Sequence, residues 1–396
     1  MGAAAANRIG IGGAARADAA RSPRPGRKHR RIVALTISGF LVAACSPGDD
    51  TAAPSTAAAA DSRPNVVPIV ADDAGYADFG DPEMPTPAAA PQEGYTPTAA
   101  NAPSTDVYVA TLSFTDGAPA GGAVSVGDVT NITDRDGYDN QPAFEPGGQT
   151  LLYTSARNQT QTDIYRHDVR TGTTRQVTQT LSSEFSATPL PSGDGFSSIH
   201  ESAAAQQLWR FDDDGTSRGG ILDGVQPVGY HAWADENMVV MFVLGGDGTP
   251  ATLQLGDLRT GEAEVLAENP GRSLHKIPGR RAVSFVRKID EDNWWIEAYD
   301  LDSGEFTRLL PTLPGREDYA WMPDGSIIMG DGSKLFLARP GGNAPVWSPD
   351  GSLLVTVSLT LPWTEIADLT DAGVIGITRL AINDTGTRIA IVGDRQ

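Results

Sequence analysis

The chain has 396 residues, 40% hydrophobic and 20% charged, which is ordinary for globular protein and long enough to bury a large core. Its first 44 residues hold eight of the 30 basic residues and one of the 50 acidic ones, so the remainder carries 22 against 49, a formal charge of −27. A surface this acidic repels phosphate backbones and excludes nucleic acid as an expected partner, and a single cysteine, Cys45, excludes an intrachain disulfide.

In chain order, Arg27, Lys28, Arg30 and Arg31 form a basic cluster, and an apolar run over 32–44 leads to Cys45. A basic region, an apolar stretch and small residues before a cut site make a secretory signal, and these 13 residues are too few to span a bilayer as a helix. "LVAAC" resembles the bacterial lipobox. That resemblance implies that Cys45 receives lipid and becomes the mature N-terminus. Because Ser46 follows the cysteine in place of Asp, the implied destination is the periplasmic side of the outer membrane, with a secreted or soluble periplasmic protein as the alternative. Membrane contact is expected through the lipid anchor only.

Residues 45–104 are rich in Ala, Pro, Thr, Ser and Asp and have too few large apolar side chains to offset the entropy of ordering them. They read as a tether. Inside it, "RPNVVPIVADDAGYADFGDPEMPTP" (63–87) resembles the opening of a sulfatase, where a short strand lifts paired aspartates, here Asp72 and Asp73, toward a divalent cation. A working sulfatase also needs Cys or Ser in the pattern C/S-x-P-x-R. "TLPGR" at 312–316 has the spacing but offers Thr. The fragment is therefore expected to be an enzyme's first line without the enzyme.

From 105 onward, repeats appear. "NQPAFEPGGQTLLYTS" reads as two strands around a Pro-Gly-Gly turn, and "TDIYRHDVRTGTTRQVT" as two more around an Arg-Thr-Gly turn. The pattern returns, with Phe144, Leu190, Trp233, Ile277 and Trp321 as matching first-strand residues, spaced by 46, 43, 44 and 44. Four short strands at this period make one blade of a β-propeller. Alternation in "DIYRHDV" and "IEAYDL" supports strands over helices. "WTEIADLTDAGV" has room for one turn of helix. At the ends, "TDVYVATLSF" and "VGDVTNIT" look like third and fourth strands, and "ITRLAINDTGTRIAIVGD" like a first and second. Joined, they close one blade from both termini and remove the free sheet edges. The expected fold is an all-β, six-bladed propeller over 105–396. The regular hairpin at 343–358 leaves seven blades as the alternative, and an insertion in the fifth blade is preferred, because one candidate strand, 363–368, follows it.

The stretch 138–178 closely resembles the repeat of TolB-like propellers, and the resemblance continues more weakly to Asp394. It implies a periplasmic six-bladed propeller that binds protein partners. The separate N-terminal α/β domain of the Tol-system relative has no counterpart here, which puts a role in that system in doubt. The same repeat forms the propeller of prolyl-oligopeptidase-type enzymes, but no serine-nucleophile elbow is expected in this chain.

His231 and His275 sit two residues before Trp233 and Ile277, and Thr188 and Tyr319 read as the same register in neighbouring blades, so these four are the candidate lining of a central channel. His200 closes the second strand of the preceding blade. Oligogalacturonate lyases of this fold hold a metal in the channel with histidines, which makes His231, His275 and His200 candidate ligands. The alternative is polar lining that bonds channel water, because a third ligand and a base are not evident. "DDDG" at 212–215 and "DRDG" at 134–137 lack the glutamate of a calcium loop and read as turns. Trp294, Trp295 and Trp209 read as blade-packing residues. The expectation is a non-catalytic binding scaffold or an envelope sensor, monomeric, without a cofactor or structural metal and with an envelope protein or small ligand as partner. The competing reading is a metal-dependent lyase or hydrolase in the channel.

Overall fold

A computed structural model describes residues 102–114, 123–157, 161–246, 248–340 and 362–395. The signal-like segment, Cys45, the tether, the sulfatase-like stretch and the hairpin at 343–358 lie outside the described residues. The described chain forms six four-stranded antiparallel sheets around an axis, a six-bladed β-propeller. Blade I comprises β3 (Asp139–Phe144), β4 (Thr150–Ser155), β5 (Asp163–Asp168) and β6 (Thr173–Gln176). Blade II comprises β7 (Ser183–Pro189), β8 (Phe196–Glu201), β9 (Gln206–Phe211) and β10 (Ser217–Gly220). Blade III comprises β11 (Val228–Trp233), β12 (Met238–Val243), β13 (Thr252–Asp257) and β14 (Glu262–Glu268). Blade IV comprises β15 (Pro270–Lys276), β16 (Ala282–Lys288), β17 (Trp294–Asp300) and β18 (Phe306–Pro311). Blade V comprises β19 (Tyr319–Trp321), β20 (Ile327–Asp331), β21 (Lys334–Ala338) and β22 (Thr364–Asp368). Blade VI takes β23 (Leu380–Ile382) and β24 (Arg388–Asp394) from one end of the chain, and β1 (Thr105–Phe114) and β2 (Val124–Asn131) from the other.

The turns between third and fourth strands show why the period is legible. "DVRTG", "DLRTG" and "DLDSG" recur in blades I, III and IV. In each, the aspartate Oδ1 accepts a backbone N–H from inside the turn, and the glycine N–H closes on the aspartate carbonyl at 2.8 Å. The glycines (Gly172, Gly261, Gly304) have φ near +70°, which a side chain would strain. β21 pairs directly with β22 as adjacent strands of blade V, and the described strands form six blades. The helical turn expected after Trp363 is a single 3-10 turn, Thr370–Ala372.

The apolar core is a ring. Buried side chains fall into six clusters, and each cluster bridges two neighbouring blades. Leu152, Ile164, Phe196 and Phe211 fill the seam between blades I and II. Val107, Val392, Leu151 and Tyr153 fill the seam between VI and I. Trp294 and Trp295 are buried in blade IV, as packing residues should be. Trp209 is half-buried and stacks on His200 with ring centroids 3.9 Å apart.

The ring closes as the repeats imply. β1 pairs with β24 from Thr105↔Asp394 to Thr111↔Arg388. Arg395 reinforces the join, with its Nη1 3.0 Å from Asp106 Oδ2 and its N–H bonded to the Ser104 carbonyl. Val107, Val109, Leu380, Ile389 and Ile391 are buried there, and Ile382 is half-buried at its strand end. Bringing distant ends together costs loop entropy, and burial of such side chains, about 1.5–3 kcal/mol each, offsets it. Truncation after Ile377 removes both β23 and β24 and bares an edge on either side of the gap. The truncated chain is expected to aggregate on size-exclusion chromatography; a monomer that unfolds with unchanged cooperativity would show that closure contributes little.

Candidate functional site

All six first strands meet at a central cavity of about 570 Å³. Which of their residues face it follows from the bond that closes each first-to-second hairpin. Glu145, Leu190, Ala234, Ile277, Met322 and Asn383 donate these bonds and are therefore equivalent positions. Phe144, Trp233 and Trp321 precede those positions by one residue, whereas Leu190 and Ile277 occupy them, so the repeat residues read from the sequence are out of step by one. The same offset separates the four channel candidates. His275 and Thr188 lie two residues before the closing position and pair across with Ser284 and Ser197. His231 and Tyr319 lie three before it and pair with Met241 and Met329. Successive strand residues point to opposite faces, so one residue of offset is a change of environment.

Thr188 and His275 therefore belong to a ring whose other members are Ala143, Ala232, Ala320 and Ala381. Four alanines of six keep the strands close to the axis while leaving the cavity open. His231 and Tyr319 also line the cavity but are buried in its wall, at 6% and 1% exposure. They make the same seam contact two blades apart. His231 Nε2 lies 2.6 Å from Ser197 Oγ of the preceding blade, and Trp233 Nε1 donates to that oxygen at 2.8 Å. Tyr319 OH and Trp321 Nε1 meet Ser284 Oγ of the preceding blade, both at 2.8 Å. A polar residue, a tryptophan two positions on and a serine on the neighbour's second strand make an interblade clasp, whose His-Ala-Trp and Tyr-Ala-Trp parts stand at 231–233 and 319–321.

The histidines are neutral. Burial pushes His231 down to about 3 and His275 to about 4. Ser273 Oγ lies 2.9 Å from His275 Nε2 and also receives the Tyr319 N–H at 3.4 Å. His200 does not line the cavity. It approaches Glu184 Oε1 at 4.0 Å, but burial lowers the histidine and raises Glu184 to about 8, so the contact joins two neutral groups and is no ion pair at neutral pH. The three candidate metal ligands thus have different neighbours, and no group of three or more metal-ligating side chains occurs among the described residues.

One register further down lies a polar ring of Gln141, Ser186, Tyr230, Ser273, Asp318 and Arg379. Its charged part escaped the sequence reading. Asp318 receives Arg272 Nη2 on Oδ2 at 2.8 Å and Arg379 Nη1 on Oδ1 at 2.6 Å. Burial alone would raise the Asp318 carboxyl, but the two guanidiniums outweigh it and hold it below the usual carboxylate range. Arg272 also approaches Glu317, at 3.5 Å, which Lys288 pairs at 3.1 Å, and Arg379 lies over the Tyr230 ring at 4.8 Å. The arrangement is a preorganised electrostatic floor with its side chains already anchored. The pattern Gly-x-Ser-x-Gly does occur once, at 215–219, contrary to expectation. It builds the exposed fourth strand β10, where Ser217 receives only the Gly219 N–H, with no helix behind it, so it is not a nucleophile elbow.

These features define a six-bladed propeller with an open, polar-floored channel. Among solved structures, a TolB-like protein of Agrobacterium tumefaciens is similar in fold, with TM-score 0.51 and 13% identity over 74% of this chain and 99% of that one. TolB of Acinetobacter baumannii (TM-score 0.46, 12% identity, 73% of this chain and 64% of that one) and an oligogalacturonate lyase of Vibrio parahaemolyticus (0.40, 12%, 72% and 97%) are more distant. In sequence, the chain matches no protein-family model and no curated protein. The sulfatase-like stretch gains no support from these comparisons.

Two tests follow from the buried groups. His231→Ala should cost about 2–3 kcal/mol in denaturant unfolding, and His231→Tyr, which copies the residue at this register in blade V, less than half of that; equal losses would show that the clasp is not interchangeable. Glu184 binds its proton more tightly folded than unfolded, so its contribution is complete below about 4.5 and fades as pH rises through about 8. Glu184→Gln should therefore gain stability relative to the unmodified protein between about pH 5 and about pH 9, with the difference measured by urea unfolding at both; a constant difference would show that this carboxyl does not titrate there.

Proposed function

We propose that the chain is a lipid-anchored, periplasm-facing propeller of the cell envelope that works as a non-catalytic binding module, with the central channel as its binding site. The observation that carries this reading is the channel floor. Its charges are fixed by their own ion pairs before any ligand arrives, and its histidines are neutral, as suits recognition better than proton transfer near neutral pH. The signal-like segment, Cys45 and the resemblance to TolB-like propellers support the envelope setting. The lyase or hydrolase reading has in its favour two histidines on the cavity, but His231 Nε2 lies against Ser197 Oγ at 2.6 Å and His275 Nε2 against Ser273 Oγ at 2.9 Å.

A photo-crosslinking residue placed at Thr188 in intact envelopes should yield discrete adducts, while the same residue at exposed Val265 on blade III should not. The adducts should disappear, and the protein should leave the membrane fraction, in Cys45→Ala. Equal labelling from both positions would sink the channel as the binding site, and a Cys45→Ala protein that stays with membranes would sink the lipid anchor.

A further inference from the structure

The channel differs in charge from the chain that surrounds it. Its floor and the wall directly behind it hold three cations (Arg272, Lys288 and Arg379) against two carboxylates (Glu317 and Asp318). At the mouth, Lys276 and Asp384 cancel. The cluster therefore carries a formal charge of +1 inside a chain of −20. The Arg272, Arg379 and Asp318 side chains are each about one-tenth exposed, so water and salt screen this excess weakly.

Two further polar atoms belong to residues that line the same cavity. Ser186 Oγ and His231 Nδ1 are buried and have no protein partner among the described residues. Above the floor, Trp233 and Trp321 line the cavity and His275 packs 4.5 Å from the Tyr319 ring, while Tyr230 belongs to the floor itself, under Arg379. The volume, about 570 Å³, lies in the usual range for small-molecule sites.

We propose that the channel binds a ligand through a carboxylate, seated toward Arg272 and Arg379, with an apolar or aromatic body against the tyrosine and tryptophan faces. The proposal rests on the reading of the channel as a binding site and names the chemistry that it takes. A bound carboxylate brings the cluster to three positive and three negative charges. Asp318 positions the receptor: it holds both guanidiniums at the floor and uses one negative charge to do so. The carboxylate belongs either to a free small molecule or to the C-terminal residue of a peptide, and the two share this chemistry.

The test uses the full chain and an isosteric series. Benzoate, benzamide and benzamidinium share one planar shape and carry three different charges, and N-acetylphenylalanine with its amide represents a peptide end. Ligand-observed NMR titration should give benzoate or N-acetylphenylalanine a Kd in the millimolar range or below, with the neutral and cationic analogues weaker by roughly tenfold or more. Preference for benzoate alone assigns a free small molecule, and preference for N-acetylphenylalanine assigns a peptide end. Arg379→Gln and Arg272→Gln should each weaken the anionic probe by roughly tenfold. Should either variant fail to fold, the comparison of acid with amide on the unmodified protein still decides. Benzamide binding as tightly as benzoate, or no acid binding up to about 10 mM, overturns the proposal. Benzamidinium binding best overturns the carboxylate while leaving the channel a binding site, whereas loss of the Thr188 crosslinks speaks against the binding site itself.

Discussion

The structure depends on apolar seams between blades rather than on a single central core. Each sheet buries its faces against its two neighbours, so six clusters form a closed ring around an axis that is itself not filled. A blade without a neighbour leaves an apolar face bare, which makes closure of blade VI by both ends of the described region a condition for the other five. The β1–β24 pairing and the Arg395–Asp106 contact are the points at which a repeating sheet array becomes one cooperative unit.

The channel is a consequence of the same geometry. Six first strands converge on the axis, and alanine at four of the six innermost positions lets them approach without filling the space between them. Residues one step away along the strand turn into the seams, where polar side chains must find partners. His231 and Tyr319 do so through serines of the preceding blade, with a tryptophan sharing each bond. The chemistry of the cavity is thus divided by strand parity. The alanines, Thr188 and His275 share one register, and the hydrogen-bonded His231 and Tyr319 lie one step away in the wall.

At the channel floor electrostatics outweighs desolvation. A buried aspartate is costly unless opposite charge is close, and Asp318 has two guanidiniums. At the first-strand entrance of blade II the balance is reversed. Glu184, fully buried and held by the Thr180 hydroxyl at 2.5 Å, has no cation at hand, and its carboxyl is pushed up to about 8. Glu184 lies within β7 and Asp318 immediately before β19, both innermost strands of their blades, and the neighbour that supplies a cation decides which of them stays charged.

The blade period, the strand-turn-strand units and the joining of the two ends could all be read from the chain, because they rest on local rules. Alternating apolar residues make strands, and an aspartate followed four residues later by glycine makes the turn, as in "DVRTG" and "DLRTG", whatever lies nearby. Count and closure follow once those units repeat, and the six-bladed ring is what they add up to. Register within the first strands was beyond such rules. The first-to-second turn closes at Ala234 in blade III and at Ile277 in blade IV, so Trp233 and Ile277 are not equivalent, and spacing from them placed His231 and His275 together when they stand one step apart. The Arg272–Asp318–Arg379 bridge was beyond them too. Its members lie on three different blades, 46 and 61 residues apart, and only the curvature of the closed ring brings three ordinary charges to one point and buries them there.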